Sequence, residues 1–306
     1  MLLTCGWLLS ATVLGQTAPA TDIKEAFFKL CDVACAELNT DARRVPFYID
    51  SYAIRALAVG YDMTGKRRYI EVCRRWSDRM IDFQDRMVPR GAYYMNYNRK
   101  PGEEKGGWYV ADSSSIAMGV LATAVRCDDP AQRSRYFESV TWFAKLVMDN
   151  YLGKSGGIRN GLWDKFDGEW WCCTGIFGSL SFLLYQETMD DQYLEVGRRA
   201  IEWLNRQDWA KTGPYPLEMM GPAMAMYSLE VYSAGESHLP GDSEIRKATA
   251  EQVTRFLDWL AAHPGGSEGD KQWPYKSQWG SKYGGLPFHI YICSRYLPTG
   301  KNPKGQ

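Results

Sequence analysis

The sequence predicts an all-α protein, an α/α toroid of about five to six helical hairpins. Amphipathic helical patterns alternate along the chain with segments that are apolar on most sides, strand patterns are nearly absent, and one hairpin turn occurs twice. A helix that is apolar all round must be buried. The alternation therefore indicates inner helices that outer helices shield from solvent.

The predicted helices follow one another as outer and inner members of hairpins. Amphipathic stripes, which mark the outer helices, start near Ile23, Tyr69, Phe137, Tyr193 and Val253. Apolar segments, which we interpret as the inner helices, occupy residues 49–60, 113–125, 175–184, 221–231 and 285–292. Each inner helix can bury its surface only against its neighbours, so a ring or arc of hairpins is needed to close the core.

An internal repeat supports the same architecture. Residues 61–75 align without gaps on residues 185–199, with identical Tyr, Thr, Glu, Val and Arg residues at matching positions. Each copy runs from the end of a predicted inner helix, through a tight turn, into an outer one. Self-similarity between helical hairpins is the mark of a repeat architecture. We therefore treat residues 21–306 as a single toroid domain.

The N-terminus predicts export. Residues 1–20 form an apolar run that ends on Ala18-Pro19-Ala20, an A-x-A cleavage pattern, and this run is too short to span a bilayer. We expect a signal peptide at residues 1–20 and a secreted or periplasmic protein with no membrane span. The alternative is a buried N-terminal helix.

Composition and motifs exclude several function classes. The chain has 36 Lys plus Arg residues and 36 Asp plus Glu residues, so its formal net charge is zero. It therefore lacks the excess of positive charge that is typical of nucleic-acid-binding proteins. No P-loop or dinucleotide fingerprint lies in a suitable context, so we expect no cofactor. The adjacent Cys172 and Cys173 would need His289 to make a zinc site, and adjacent cysteines rarely ligate one ion, so we expect no metal.

The connections between helices differ in length according to their direction. Turns from inner to outer helices are mostly short, whereas the links in the other direction are long, at residues 88–110, 151–171, 208–220 and 263–284. Connections of one direction lie at the same end of a toroid, and long links usually carry function. We expect these four links to gather at one end of the barrel.

The long links and the helix starts beside them are rich in aromatic residues. Our candidates for stacking against sugar rings are Tyr48, Tyr94, Trp108, Trp163, Trp170, Trp171 and Trp279. Arg159, in a link, has a guanidinium fork that suits a substrate carboxylate. The alternatives are that the rings only pin the links down and that the arginine is a solvated loop charge.

The chain resembles the six-hairpin glycosidase superfamily. The resemblance lies in the two repeated turns and in residues 111–121, Ala-Asp-Ser-Ser-Ser-Ile-Ala-Met-Gly-Val-Leu. This segment resembles the start of the inner helix that carries a catalytic carboxylate in unsaturated glucuronyl and rhamnogalacturonyl hydrolases. The resemblance implies a glycoside hydrolase acting on oligo- or polysaccharides that contain uronic acid.

Two aspartates are the candidate catalytic carboxylates, because glycosidases generally need two. Asp112 begins an inner helix, where it is either an N-cap, a general acid/base, or both. Asp50 occupies the equivalent place on the first inner helix. Glu169 and Glu218, both in long links, are weaker alternatives.

Two further functions stay open beside the hydrolase. A polysaccharide lyase would cleave by β-elimination, with Tyr109 or His289 as the base. A non-catalytic glycan-binding toroid would bind without turnover. Fold alone does not choose among these three functions.

Overall fold

A computed structural model describes residues 23–39, 47–94, 108–161, 168–208, 227–241 and 243–262, together with Tyr291. These residues form helices and connections, with two isolated bridges in the link between residues 151 and 171 and no strand among them. The predicted all-α class is confirmed for this part of the chain. Residues 1–20, the predicted signal peptide, lie outside it. Among the described residues, no helix is both long enough and apolar enough to cross a membrane.

The helices alternate in burial along the chain. In order they are α1 (Ile23–Leu38), α2 (Phe47–Thr64), α3 (Arg67–Gln84), α4 (Val110–Ala124), α5 (Pro130–Asn150), α6 (Trp171–Thr188), α7 (Asp191–Asn205), α8 (helical residues 227–235) and α9 (Glu244–Ala262). A short 3₁₀ helix, Glu236–His238, follows α8.

The even-numbered helices line the interior of the protein. Every residue of α4 is buried except Asp112 and Ala122, and α6 is buried continuously from Trp171 to Phe182. The outer helices α3 and α7 instead bury residues three or four apart, which is one face of a helix. The predicted alternation of inner and outer helices is confirmed in α2 to α7.

The repeated hairpin turn has the same backbone geometry in both copies. The hydroxyl groups of Thr64 and Thr188 each donate to a carbonyl four residues earlier, at 2.7 and 2.8 Å. The next residue, Gly65 or Met189, adopts a left-handed conformation, with φ of 67° and 57°. Glycine accepts this conformation without steric cost, whereas methionine does not. The sequence repeat is therefore a structural repeat. Its left-handed residue is strained only in the second copy, where it is Met189.

The inner helices α2 and α4 run parallel. Ser51 and Ser115 meet at their N-terminal ends, with 2.6 Å between the two hydroxyl oxygens. At their C-terminal ends Arg126 forms an ion pair with Asp62. Parallel neighbours place all their N-termini at one end of the barrel, which we call the link end. The short turns lie at the opposite end, which we call the turn end.

Two of the four long links meet at the link end, as predicted. The Val110 N–H at the end of the first link donates to the Asn160 carbonyl of the second, at 3.0 Å. The ring of Trp108 in the first packs edge-on against Tyr151, which opens the second, with centroids 5.4 Å apart. The links at residues 208–220 and 263–284 lie outside the described residues apart from position 208.

Candidate active site

The first turns of α2 and α4 bring the two candidate carboxylates to the same end of the barrel. Asp50 is fully buried, and Asp112 is half-buried. The Ser51–Ser115 contact ties these turns together, and both hydroxyls also lie within 3.2 Å of the Tyr48 carbonyl oxygen. Packed helix axes lie about 8–10 Å apart. Asp50 and Asp112 therefore occupy neighbouring helix starts at the link end.

Asp112 is not the N-cap of α4, and this corrects our expectation. The N-cap is Tyr109, whose side chain makes no capping hydrogen bond, and Asp112 is the third helical residue. The carbonyl of Asn160 in the neighbouring link accepts a hydrogen bond from the Val110 N–H, one of the four N–H groups that have no partner within the helix. The carboxylate still lies in the first turn, where the helix dipole stabilises negative charge.

The start of α6 adjoins Asp112. The Cys173 thiol lies 3.4 Å from Oδ1 of Asn160. Burial raises the pKa of the Cys172 and Cys173 thiols, and the negative charge of Asp112 raises both further. The charge of Asp112 therefore acts on the first turn of α6. In the part of the chain that the structure describes, no three side chains converge as metal ligands. His289 lies outside that part.

Five of the aromatic candidates for sugar stacking lie in the described part of the link end, and all five are buried. Trp108 is completely buried, and the remaining described candidates are between 2% and 8% exposed: Tyr48, Tyr94, Trp170 and Trp171. This burial agrees with the alternative that the rings hold the links against the scaffold. Whether any of these five rings contacts a sugar stays a prediction. Trp163 and Trp279 lie outside the described residues.

The charged candidates of the second link are engaged in holding that link. The Arg159 guanidinium lies over the Tyr151 ring, 5.6 Å from its centroid, and donates to the Asn150 carbonyl. These contacts agree with a structural role for Arg159. Tyr109, the candidate lyase base, is half-buried beside the start of α4.

Glu169 also fixes the second link. Its carboxylate accepts hydrogen bonds from the backbone N–H groups of Ser155, at 2.8 Å, and Gly157, at 3.0 Å. Burial by itself raises the pKa of Glu169, but the hydrogen bonds from Ser155 and Gly157 outweigh it, so the pKa lies below its usual value. A carboxylate held charged in this way is poorly suited to proton donation. Glu218 lies outside the described residues.

Sequence reasoning missed a buried polar cluster inside the barrel. Arg55 of α2 donates to Glu230 of α8 and to the Tyr291 hydroxyl, and that hydroxyl donates to Glu230 at 2.7 Å. The side chains of Arg55 and Glu230 are only 10% and 7% exposed. The available signal was a charged residue in each of two mostly apolar segments, Arg55 in residues 49–60 and Glu230 near the end of residues 221–231. This cluster connects α2, the first inner helix, to α8 and to Tyr291.

Comparisons with known proteins establish the fold. No family model and no curated protein matches the chain. Among solved structures, a GH76 α-1,6-mannanase of Salegentibacter sp. HEL1_6 matches 90% of this chain and 99% of its own, with 12% identity and a TM-score of 0.51. A GH76 α-mannanase of Bacteroides thetaiotaomicron matches 86% of this chain and 82% of its own, with 12% identity and the same TM-score, 0.51. At this identity the likeness shows the fold alone, and it confirms the predicted α/α toroid.

Proposed function

We propose that this α/α toroid is a glycoside hydrolase in which Asp112 and Asp50 are the catalytic carboxylates. One observation carries the proposal. Two aspartates lie on the first turns of adjacent parallel helices at the link end, with their helix starts tied by the Ser51–Ser115 contact. Hydrolysis of a glycosidic bond needs two carboxyl groups, one as the acid and one as the base or nucleophile.

The different burial of the two carboxylates suggests different roles. Asp112 is half-buried, so a substrate can reach it, and we assign it the general acid/base role. Asp50 is fully buried in the absence of substrate, and we assign it the second carboxylate. Tyr109 is the N-cap residue of α4, three residues before Asp112, and we assign it a contact with the same sugar.

The mannanase neighbours support a carbohydrate substrate and show where this chain departs from them. The Salegentibacter α-1,6-mannanase was solved with α-1,6-mannotriose as an inactive variant in which two consecutive aspartates are changed to asparagine. This chain has consecutive aspartates at residues 128–129 and 190–191, both on exposed turns at the turn end. Its catalytic pair would therefore come from two separate helices.

We infer that the substrate is an oligo- or polysaccharide containing uronic acid, outside the cytoplasm. The resemblance of residues 111–121 to unsaturated glucuronyl and rhamnogalacturonyl hydrolases supports the uronic acid, and the apolar run at residues 1–20 supports export. α-1,6-Mannan is the competing substrate that the structural neighbours suggest.

The test compares two aspartate variants with a matched control. Turnover is measured on α-1,6-mannan and on a panel of uronic-acid-containing oligosaccharides, beside a thermal melt of each protein. Asp112→Asn should lower turnover by about two to four powers of ten, the usual cost of losing a positioned proton donor. Its stability should fall by about 1 kcal/mol or less, since only a charge near the helix N-terminus is lost. Asp50→Asn should also lower turnover.

Asp129→Asn is the control, because Asp129 caps α5 on an exposed turn and asparagine caps equally well. It should leave turnover unchanged. Full activity in Asp112→Asn would remove Asp112 from the mechanism. Products absorbing in the ultraviolet band of an unsaturated uronide would establish the lyase, with Tyr109 as its base. Saturable glycan binding without turnover on any substrate would establish a binding toroid.

A further inference from the structure

The first turn of α4, which carries Asp112, is not capped by a side chain of its own. The N-cap residue of this helix is Tyr109, whose side chain makes no capping hydrogen bond. Val110 and Ala111 are the first two residues of α4, and both are buried. The first N–H groups of a helix have no partner within the helix, and buried ones need a partner from elsewhere. Groups outside α4 therefore have to hold this turn.

Asn160 of the second link provides the first of these groups. Its carbonyl accepts a hydrogen bond from the Val110 N–H at 3.0 Å, and the residue is only 2% exposed. The next residue, Gly161, has a positive φ of 89°, which favours glycine. A Cβ atom at this position would lie 3.3 Å from side-chain atoms of Trp108 and Val110. The second link thus packs directly on the residue that starts α4.

Cys173 of α6 provides the second group. Its thiol donates to Oδ1 of Asn160 at 3.4 Å, and the side chain is completely buried. Burial raises the pKa of this thiol well above its usual value, and a hydrogen bond with the backbone of Ala111 acts in the opposite direction. A hydrogen bond lowers the pKa of a thiol when it is donated to the sulfur, so the Ala111 N–H is the donor. The sulfur of Cys173 therefore connects the start of α4 to Asn160.

The second link is itself fixed to the start of α6. The Ile158 N–H donates to the Thr174 hydroxyl at 2.8 Å, and the Ile158 carbonyl accepts from the Trp170 N–H at 2.9 Å. Asn160 lies only two residues farther along the link. These bonds hold Asn160 in place relative to α6, so α6 and the second link together hold the first turn of α4.

We propose that Asn160 and Cys173 are positioning residues, which hold the first turn of α4, and with it Asp112, against the start of α6. This inference rests on the proposed function, in which Asp112 is the general acid/base. Because both residues are buried, they act through Asp112 and not on the substrate. Proton transfer depends strongly on distance, and a misplacement of about 1 Å can cost about 10²-fold in rate.

The test compares alanine variants of two adjacent cysteines. Cys173→Ala removes the sulfur between Ala111 and Asn160. Cys172→Ala is the matched control, because Cys172 is 1% exposed and lies on the same turn, but adjacent residues of a helix face different directions. Cys173→Ser keeps a group that can both donate and accept. Thermal melts show which variants are folded at the assay temperature.

Two measurements separate positioning from a general loss of stability. Hydrogen–deuterium exchange of the Ala111 amide should be at least about five-fold faster in Cys173→Ala, because its partner is lost. The kcat on the best substrate of the panel should fall at least about ten-fold, with KM nearly unchanged because the contacts to the substrate remain. Cys172→Ala should match the wild type in both measurements, and Cys173→Ser should retain more turnover than Cys173→Ala.

The outcomes distinguish this inference from the proposed function. Exchange in Cys173→Ala as slow as in Cys172→Ala would show that the sulfur does not hold α4, and would overturn the inference. Loss of turnover in Asp112→Asn but not in Cys173→Ala would refute the positioning role alone. An equal loss of turnover in both cysteine variants would also refute it. Absence of turnover in the wild type on every substrate would refute the proposed function and the positioning role together.

Discussion

The ion pair between Arg55 and Glu230 gives the most quantitative prediction of the structure. It joins α2 to α8 across 175 residues of sequence, and its side chains are 10% and 7% exposed. We consider Glu230→Gln, which keeps the size of the side chain and an acceptor for the Tyr291 hydroxyl but removes the negative charge. Arg55 is then left as a buried charge without a counterion.

The expected cost follows from burial. Removing one partner of a buried ion pair typically costs about 3–5 kcal/mol, because the remaining charge stays desolvated. At about 2 °C per kcal/mol for a large domain, the melting temperature should fall by about 6 °C or more. The double variant Arg55→Met, Glu230→Gln removes both charges and keeps the partner of Tyr291. It should be at least about 2 kcal/mol more stable than Glu230→Gln alone, since replacing both members of a buried pair is often neutral.

The assay is urea unfolding followed by tryptophan fluorescence, for the wild type, both single variants and the double variant. The coupling energy of this cycle measures the pair directly. A Glu230→Gln protein within about 1 kcal/mol of the wild type would refute the inference that Arg55 is desolvated. Additive effects of the two single changes would refute the inference that the charges depend on each other.

Three further predictions concern local features. The pKa of Glu169 is lower in the folded protein than its usual value near 4.5, so the charged carboxylate stabilises the fold fully above that pH, and this stabilisation is lost as the pH falls through the folded-state pKa. Thermal melts should therefore show a fall in melting temperature at acid pH in the wild type and a smaller fall in Glu169→Gln. Met189→Gly should stabilise the protein by about 1 kcal/mol by relieving a left-handed methionine, whereas Gly65→Met should destabilise it by a similar amount, both measured by urea unfolding. Cys172 and Cys173, buried with raised thiol pKa, should react with a maleimide only after unfolding, and rapid labelling of the native protein would contradict their burial.

The link end shows where sequence reasoning succeeded and where it did not. The periodicity of the chain placed Asp50 and Asp112 at the starts of inner helices, and the structure has both in first turns. The same reasoning offered Asp112 as a possible N-cap, but the N-cap residue of α4 is Tyr109. It also left open whether Trp108 stacks against a sugar or holds its link, and the structure has the ring completely buried against Tyr151. The packing around Trp108 depends on contacts between segments that are distant in sequence, which periodicity does not describe.

The sequence by itself determined the all-α class, the alternation of inner and outer helices, the repeated turn and the unequal connections. These features follow from hydrophobic periodicity and turn chemistry, which act over a few residues. Only the tertiary structure decided that the five described aromatic candidates are buried, that Arg55 meets Glu230, and that a cavity remains at the turn end. These depend on how helices far apart in sequence approach one another, and side-chain burial and charge pairing are settled only when the ring of hairpins closes.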